Sequence, residues 1–149
     1  MRLLVVRHGE AQPMRDQDAT RCLTEAGQAE VNALALRLQS DWTHLRVLSS
    51  PYRRALQTAE ILCSHLHGRH EVWPEITPEG SVRATVERLH DCHEDLIMVT
   101  HMYFLSELCG YLIEASPRSH DYPLATAGAR WLEADLWLPG SARMRGESL

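Results

Sequence analysis

The chain of 149 residues, 44% of them hydrophobic, can line one sizeable core, and we expect a single domain over residues 1–149 with about 143–149 as a frayed tail. Its formal net charge of -5 disfavours a nucleic-acid partner, because no basic surface covers the whole molecule. The four cysteines form no C-x-x-C pair and no apolar run could span a membrane, which predicts a cytoplasmic protein without disulfides, a zinc knot or a membrane partner.

The first half of the chain predicts two buried strands, each followed by a helix. Leu3 to Arg7 is an apolar run without alternation, which is typical of a strand buried on both faces, and Arg46 to Ser49 is the next strand. Thr24 can cap a first helix that ends near Ser40. The Ser50-Pro51 pair, as N-cap and first helical residue, predicts the start of a second helix.

The second half continues the alternation of strands and helices. A short strand through Val72-Trp73 precedes a third helix from about Val82 to Leu89. Leu96 to Thr100 is a further buried strand, and Tyr103 to Ile113 predicts a helix beyond it. Arg130 to Leu138 alternates between small or aliphatic residues and polar or tryptophan residues, which predicts an amphipathic strand near a sheet edge.

This alternation predicts an α/β fold with a mainly parallel sheet covered by helices on both faces. In such folds, ligands bind beyond the carboxyl ends of the strands. Three polar groups follow predicted strand ends, namely Arg7-His8-Gly9, Ser49 to Arg54, and Thr100-His101. We therefore expect one functional site where these three groups meet.

The residues of these groups suit phosphoryl transfer. A neutral imidazole such as that of His8 is a competent nucleophile when one ring nitrogen is held as a donor and the other presents its lone pair. Arg7 supplies a permanent cation for phosphate oxygens, and nearby cations favour the neutral form of a histidine. Gly9 would let the backbone approach the anion closely.

Arg54 and Arg53 compete for a second cationic position in the first turn of the predicted second helix, where the helix N-terminus already favours an anion. Helical spacing aligns Arg53 with a polar stripe and Arg54 with the flank of the apolar face, so we favour Arg54. His101 could donate a hydrogen bond to an oxygen of the transferring group.

Four segments together resemble the histidine phosphatase superfamily, also called the phosphoglycerate mutase-like family. They are L-L-V-V-R-H-G-E-A, R-C-L-T-E-A-G, L-S-S-P-Y-R-R-A-L-Q-T-A and M-V-T-H-M, in this order along the chain. The short length and the S-P-x-x-R-A-x-Q-T form are most similar to the small SixA-type phosphohistidine phosphatases. The resemblance implies a three-layer α/β/α sandwich.

The resemblance also implies roles for individual residues. It makes His8 the phosphorylated nucleophile. The residues that it implies for binding the phosphoryl group are Arg7, Arg54 and His101. Arg21 matches an arginine just before the L-T segment and joins Gly9 as a candidate substrate-binding residue. The proton donor stays open between Glu75, in W-P-E-I-T-P, and Glu10, and an imidazole leaving group would need such an acid less than an alkoxide would.

The expected substrate is a phosphorylated protein, because the short chain has no room for the long insertions that roof the pocket in larger relatives. Phosphohistidine, for example on a histidine phosphotransfer domain, comes first, and a small phosphomonoester comes second. The expected reaction passes through a phosphohistidine enzyme and requires no metal or other cofactor.

Three alternatives belong to other classes. A non-catalytic phosphate-binding module would use the same pocket, and a mutase would need elements that the short chain lacks. A metal-dependent hydrolase is suggested by the many histidines of the chain. Its candidate ligands are His65, His67, His70, His90, Cys92 and His93, and we interpret the histidines as surface residues.

Overall fold

The computed structural model describes residues 1–39, 42, 44–118 and 120–149, and all statements below refer to them. The strands are β1 (Arg2–Arg7), β2 (Arg46–Ser49), β3 (Arg69–Val72), β4 (Leu96–Thr100), β5 (Ala129–Glu133) and β6 (Arg143–Met144). The α-helices are α1 (Glu25–Arg37), α2 (Arg53–Leu66), α3 (Val82–Leu89) and α4 (Phe104–Glu114). Short 3-10 helices cover Asp18–Thr20 and Pro74–Ile76. In this part of the chain, every helix is too short or too polar to cross a membrane.

The strands form one mixed sheet in the order β3-β2-β4-β1-β5-β6. The pairs β1·β4, β2·β4 and β2·β3 are parallel, whereas β5 and β6 are added antiparallel at one side. The predicted mainly parallel sheet is therefore confirmed, and its parallel part contains every strand that ends at a predicted site residue.

The sheet lies between two helical layers. Leu3 and Val5 of β1 point into a core shared with α3 and α4, whereas Leu4 and Val6 point into a core shared with α1 and α2. All four of these side chains are fully buried, as expected for a central strand covered on both faces. This arrangement is the predicted three-layer α/β/α sandwich.

Helix α2 begins later than predicted. Its first residue is Arg53 and its N-cap is Tyr52, not Ser50. Ser50 still belongs to the strand end, because its backbone N–H donates to the Val99 carbonyl at 3.2 Å, and its hydroxyl accepts from the Tyr52 N–H at 3.1 Å. Helix α1 ends at Arg37, and its predicted end at Ser40 lies outside the described residues.

The carboxyl-terminal part of the sheet also differs from the prediction. Strand β5 ends at Glu133, and the fully buried Trp137 interrupts the alternation expected as far as Leu138. The prediction of a frayed tail is wrong, because Arg143–Met144 pairs with β5 and Leu149 exchanges two backbone hydrogen bonds with Ala129 at 2.8 and 3.2 Å. Without these contacts, the backbone groups on the outer side of β5 would lack hydrogen-bond partners. Strand β6 and Leu149 supply those partners.

Candidate active site

Sheet register brings two of the predicted residues together. The His8 backbone N–H donates to the Thr100 carbonyl at 3.2 Å, and the Ser50 N–H donates to the Val99 carbonyl at 3.2 Å. His8, Ser50 and His101 therefore follow the carboxyl ends of β1, β2 and β4 at one level. The ring centroids of His8 and His101 are 5.2 Å apart. The fold therefore places the two histidines next to each other beyond the parallel strands, as expected.

His8 is held as one neutral tautomer by its two partners. Nδ1 lies 2.7 Å from the Gly9 carbonyl, which can only accept, so Nδ1 carries the proton. Nε2 accepts from the Arg54 Nε–H at 3.2 Å. The pKa of His8 is lowered to about 4, chiefly by burial and in addition by the charges of Arg54 and Arg7, although the Gly9 contact opposes them. Near neutral pH, His8 therefore presents an unprotonated Nε2.

Arg54 is the buried arginine of the pair at the start of α2. It is 4% exposed, whereas Arg53 is exposed, as the helical spacing predicted. Its Nε faces His8, while Nη1 donates to the Asp18 carbonyl at 2.8 Å and Nη2 donates to Asp18 Oδ2 at 3.1 Å. All three nitrogens of the guanidinium are therefore engaged by two residues.

Asp18 belongs to the site, although the sequence did not indicate it. Besides Arg54, its carboxylate accepts from Arg21 Nη1 at 2.9 Å, and Arg21 Nε donates to the Gln12 carbonyl at 2.7 Å. Burial alone would raise the pKa of Asp18, but the hydrogen bonds and charges of Arg21 and Arg54 lower it. The D-x-x-R spacing from Asp18 to Arg21 was the signal available for this pair.

His101 is 1% exposed, and one of its two ring nitrogens has a hydrogen-bond partner among the described residues. Nε2 lies 2.8 Å from the Ser50 hydroxyl, whereas the buried Nδ1 has no hydrogen-bond partner among the described residues. The pKa of His101 is lowered to about 2, chiefly by burial and in addition by the charge of Arg54. His101 is therefore neutral and has one ring nitrogen available for a ligand.

Arg7 lies at the end of β1, immediately before His8. Its Nη1 donates to the Leu124 carbonyl at 2.9 Å, which holds the side chain in place. Its Nε is buried and has no hydrogen-bond partner in the part of the chain that the structure describes. An unpaired buried guanidinium nitrogen is costly, so its position next to His8 suits an anionic ligand.

Gly9 has a packing role, and its close approach to an anion stays a prediction. Its N–H donates to Thr58 Oγ1 at 3.1 Å, so this donor is already used. A Cβ on Gly9 would lie 2.8 Å from the Gly27 carbonyl oxygen and 2.9 Å from Val31 Cγ2. The absence of a side chain therefore allows the loop after β1 to pass directly against helix α1.

Neither candidate proton donor contacts the histidines. Glu75 forms an ion pair of 3.0 Å with Arg88, and the Glu10 carboxylate accepts from the Thr24 hydroxyl at 2.9 Å. The structure thus gives both carboxylates other partners, and the role of Glu75 as an acid stays a prediction.

His65, one of the candidate metal ligands, and a large cavity both lie outside the site around His8. His65 contacts Asn32 at 2.8 Å, and no group of three His, Cys, Asp or Glu residues among those described could hold a metal ion. A cavity of about 930 Å³ includes Leu45, Arg46 and Arg69 at the amino ends of β2 and β3. His8 follows the carboxyl end of β1, at the opposite end of the parallel strands, so cavity size does not locate this site.

The family model of the histidine phosphatase superfamily (branch 1) matches residues 3–77, which contain His8 and Arg54. The chain belongs to this superfamily. The match covers β1 to the second 3-10 helix and therefore includes two of the three strand ends that form the site. Membership supports a phosphatase of the hydrolase class.

Relatives within the superfamily include SixA proteins. The chain is 32% identical to phosphohistidine phosphatase SixA of Escherichia coli over 73% of this chain and 74% of that protein. It is 27% identical to a SixA homolog of Haemophilus influenzae over 88% of each chain. A solved structure of the protein histidine phosphatase SixA complexed with tungstate superposes with a TM-score of 0.85 at 25% identity, covering 100% of this chain and 96% of that one. The predicted resemblance to the small SixA-type members is confirmed.

Proposed function

We propose that this chain hydrolyses phosphohistidine on a protein, such as a histidine phosphotransfer domain, through a covalent phosphohistidine at His8. The observation that carries the proposal is the fixed tautomer of His8, whose Nδ1 is tied to the Gly9 carbonyl at 2.7 Å. A lone pair on Nε2, in contact with the Arg54 guanidinium, is what a nucleophile toward phosphorus needs.

In the first step, His8 Nε2 attacks phosphorus in line with the leaving nitrogen of the substrate. An Nε2–P bond forms, the substrate N–P bond breaks, and the leaving imidazole keeps the electron pair of that bond. The positive charge that develops on His8 is stabilised through its Nδ1–H, which remains bonded to the Gly9 carbonyl. Water then attacks the phosphohistidine enzyme, so that inorganic phosphate leaves and His8 is regenerated.

The phosphoryl oxygens would be bound by Arg7, Arg54 and His101. The Arg54 Nε–H now donates to His8 Nε2 at 3.2 Å, and an incoming phosphoryl oxygen would take over this hydrogen bond and free the lone pair. Arg7 Nε and His101 Nδ1 are buried without partners among the described residues, so both are available for oxygens. Such preorganised donors stabilise the charge of the transferring group.

Phosphohistidine fits the site better than an ester does. Protonated imidazole is a good leaving group, whereas an alkoxide needs a proton from a nearby acid. The carboxylates of the two candidate acids have Arg88 and Thr24 as partners, and neither is hydrogen-bonded to a reacting histidine among the described residues. The names of the SixA relatives support the same substrate class.

The test is a rapid-quench experiment with a histidine phosphotransfer protein carrying radiolabelled phosphohistidine. We expect a transient label on the enzyme that is stable in alkali, labile in acid and located on His8. His8→Ala should abolish both label and turnover, whereas His65→Ala, a surface histidine in contact with Asn32, should change neither. A label on another residue would refute the covalent intermediate at His8. Faster hydrolysis of phosphomonoesters than of phosphohistidine would refute phosphohistidine as the substrate.

A further inference from the structure

We propose that Asp18 is the positioning residue of Arg54, holding the terminal nitrogens of the guanidinium so that Nε–H points at His8. This inference rests on the proposed function, because the orientation matters only if Arg54 binds the phosphoryl group. Asp18 begins the 3-10 helix Asp18–Thr20. It takes no part in the reaction steps described above, and the inference gives it the role of orienting Arg54.

The geometry is that of a planar group held at two edges. Two oxygens of one residue, the Asp18 carbonyl and Oδ2, accept from Nη1 and Nη2 of Arg54 at 2.8 and 3.1 Å. The opposite edge of the guanidinium donates through Nε to His8 at 3.2 Å. Because the nitrogens of a guanidinium are rigidly coplanar, fixing the terminal pair also fixes the direction of the Nε–H bond.

Asp18 is itself fixed by a second arginine. Its Oδ1 accepts from Arg21 Nη1 at 2.9 Å, and Arg21 Nε donates to the Gln12 carbonyl at 2.7 Å. The contacts thus run from Gln12 through Arg21 and Asp18 to Arg54, and they end at the nucleophile. A side chain held in this way loses little freedom when substrate binds.

Burial supports a structural task for the carboxylate. The Arg54 side chain is 5% exposed, whereas that of Asp18 is 39% exposed, so Asp18 closes the guanidinium from the solvent side. A buried guanidinium without an oxygen partner on its terminal nitrogens would turn toward another acceptor. Since the two arginines also lower the pKa of Asp18, the carboxylate stays ionised and is a poor proton donor.

Asp18→Asn and Asp18→Ala test the proposal, with Asp16→Asn and Asp16→Ala as matched controls on an exposed carboxylate of the same loop. We expect both Asp18 variants to lower kcat for the phosphohistidine protein by about tenfold or more, because small misplacements of a binding group are costly. The Asp16 variants should stay within about twofold of the wild type, as surface substitutions usually do. Urea unfolding of each variant shows whether the fold is retained.

Two further measurements separate positioning from other tasks. In a double-mutant cycle, Asp18→Ala should have little effect on the affinity for orthovanadate once Arg54→Ala is present, because the residue acts through that arginine. The pH dependence of kcat in Asp18→Asn should keep the wild-type shape, whereas loss of a proton donor would remove one limb.

The proposal is overturned if Asp18→Asn behaves like Asp16→Asn, or if the Asp18→Ala effect on orthovanadate binding persists in full beside Arg54→Ala. Failure of the proposed function looks different, because the wild-type protein itself would then fail to bind orthovanadate or fail to release phosphate from the phosphoprotein. A wild type that does both, with unaffected Asp18 variants, refutes only the role of Asp18.

Discussion

Nε2 of His101 lies 2.8 Å from the hydroxyl oxygen of Ser50, and this contact decides which nitrogen of His101 is left for substrate. The Ser50 oxygen already accepts from the Tyr52 N–H at 3.1 Å, so its own proton is available to Nε2. We expect this hydroxyl to donate to Nε2, which places the ring proton of the neutral imidazole on Nδ1, the nitrogen without a partner among the described residues. A serine that starts the loop before α2 thus makes His101 a donor.

Replacing Ser50 should therefore impair catalysis. We expect Ser50→Ala to lower kcat by about tenfold, the usual effect of losing one hydrogen bond that orients a polar group. Ser49→Ala is the matched control, since Ser49 is equally buried but its hydroxyl contacts His70 at 2.7 Å. Nitrogen-15 chemical shifts of His101 would report the tautomer directly. Equal losses in the two variants would contradict the assignment.

The two neighbouring arginines of α2 should differ in phosphate binding. Arg54→Ala removes a buried guanidinium that contacts His8, so we expect the affinity for orthovanadate to fall by about 2 kcal/mol, the size of a charged hydrogen bond. Arg53→Ala changes an exposed side chain and should cost little. Isothermal titration calorimetry measures both. Small and similar effects would show that Arg54 is not the phosphate ligand.

The two buried histidines should make the protein sensitive to mild acid. Their pKa values are lowered from 6.5 to about 4 for His8 and about 2 for His101, chiefly by burial. Below pH 6.5 the unfolded chain takes up protons at these residues and the folded protein does not, so the free energy of unfolding falls as the pH falls toward 4. Each histidine contributes a slope of up to about 1.4 kcal/mol per pH unit.

Urea unfolding at several pH values between 7.5 and 4.5 measures this slope. His101→Asn should be less sensitive to acid than the wild type, because asparagine does not titrate in this range. Replacement of an exposed histidine, as in His93→Asn, serves as the control. An unchanged slope in His101→Asn would mean that His101 is already protonated in the folded protein.

Gly27 of α1 should not tolerate alanine, even though alanine favours helices by about 1 kcal/mol relative to glycine. A Cβ on Gly27 would collide with the carbonyl oxygen of Glu10, a backbone atom in the loop after His8. We expect Gly27→Ala to lower the midpoint of thermal unfolding and to reduce turnover by displacing this loop. Circular dichroism and a phosphate-release assay test the two effects. A variant more stable than the wild type would show that the loop can move away.

The parallel core of the fold could be predicted because it depends on local patterns. Unbroken apolar runs such as Leu3 to Val6 indicate central strands, and residues after parallel strands share one edge of the sheet. The meeting of His8 and His101 follows from these two facts alone. Strand β3 was harder to predict, since Arg69–Val72 has a single apolar residue; of the predicted pair Val72-Trp73, only Val72 lies in the strand.

The parts of the site that could not be predicted lie outside the strands and α-helices. Asp18 stands in a segment without periodicity, and its contact with Arg54 spans 36 residues of chain. Gly9 was assigned to an anion because glycine permits close approach, but its close packing against helix α1 could not be read from the sequence. Such pairings depend on the path of loops in three dimensions, which local residue patterns do not encode.

Because the site residues follow directly after β1, β2 and β4, these strands should not tolerate insertions or deletions. Consecutive side chains of a strand point to opposite faces, so one residue inserted within Leu96–Thr100 would exchange the faces of the residues beyond it. His101 would then turn away from His8, even though every apolar residue of the strand remained. Exchanges among valine, leucine and isoleucine should be far better tolerated there than any insertion or deletion.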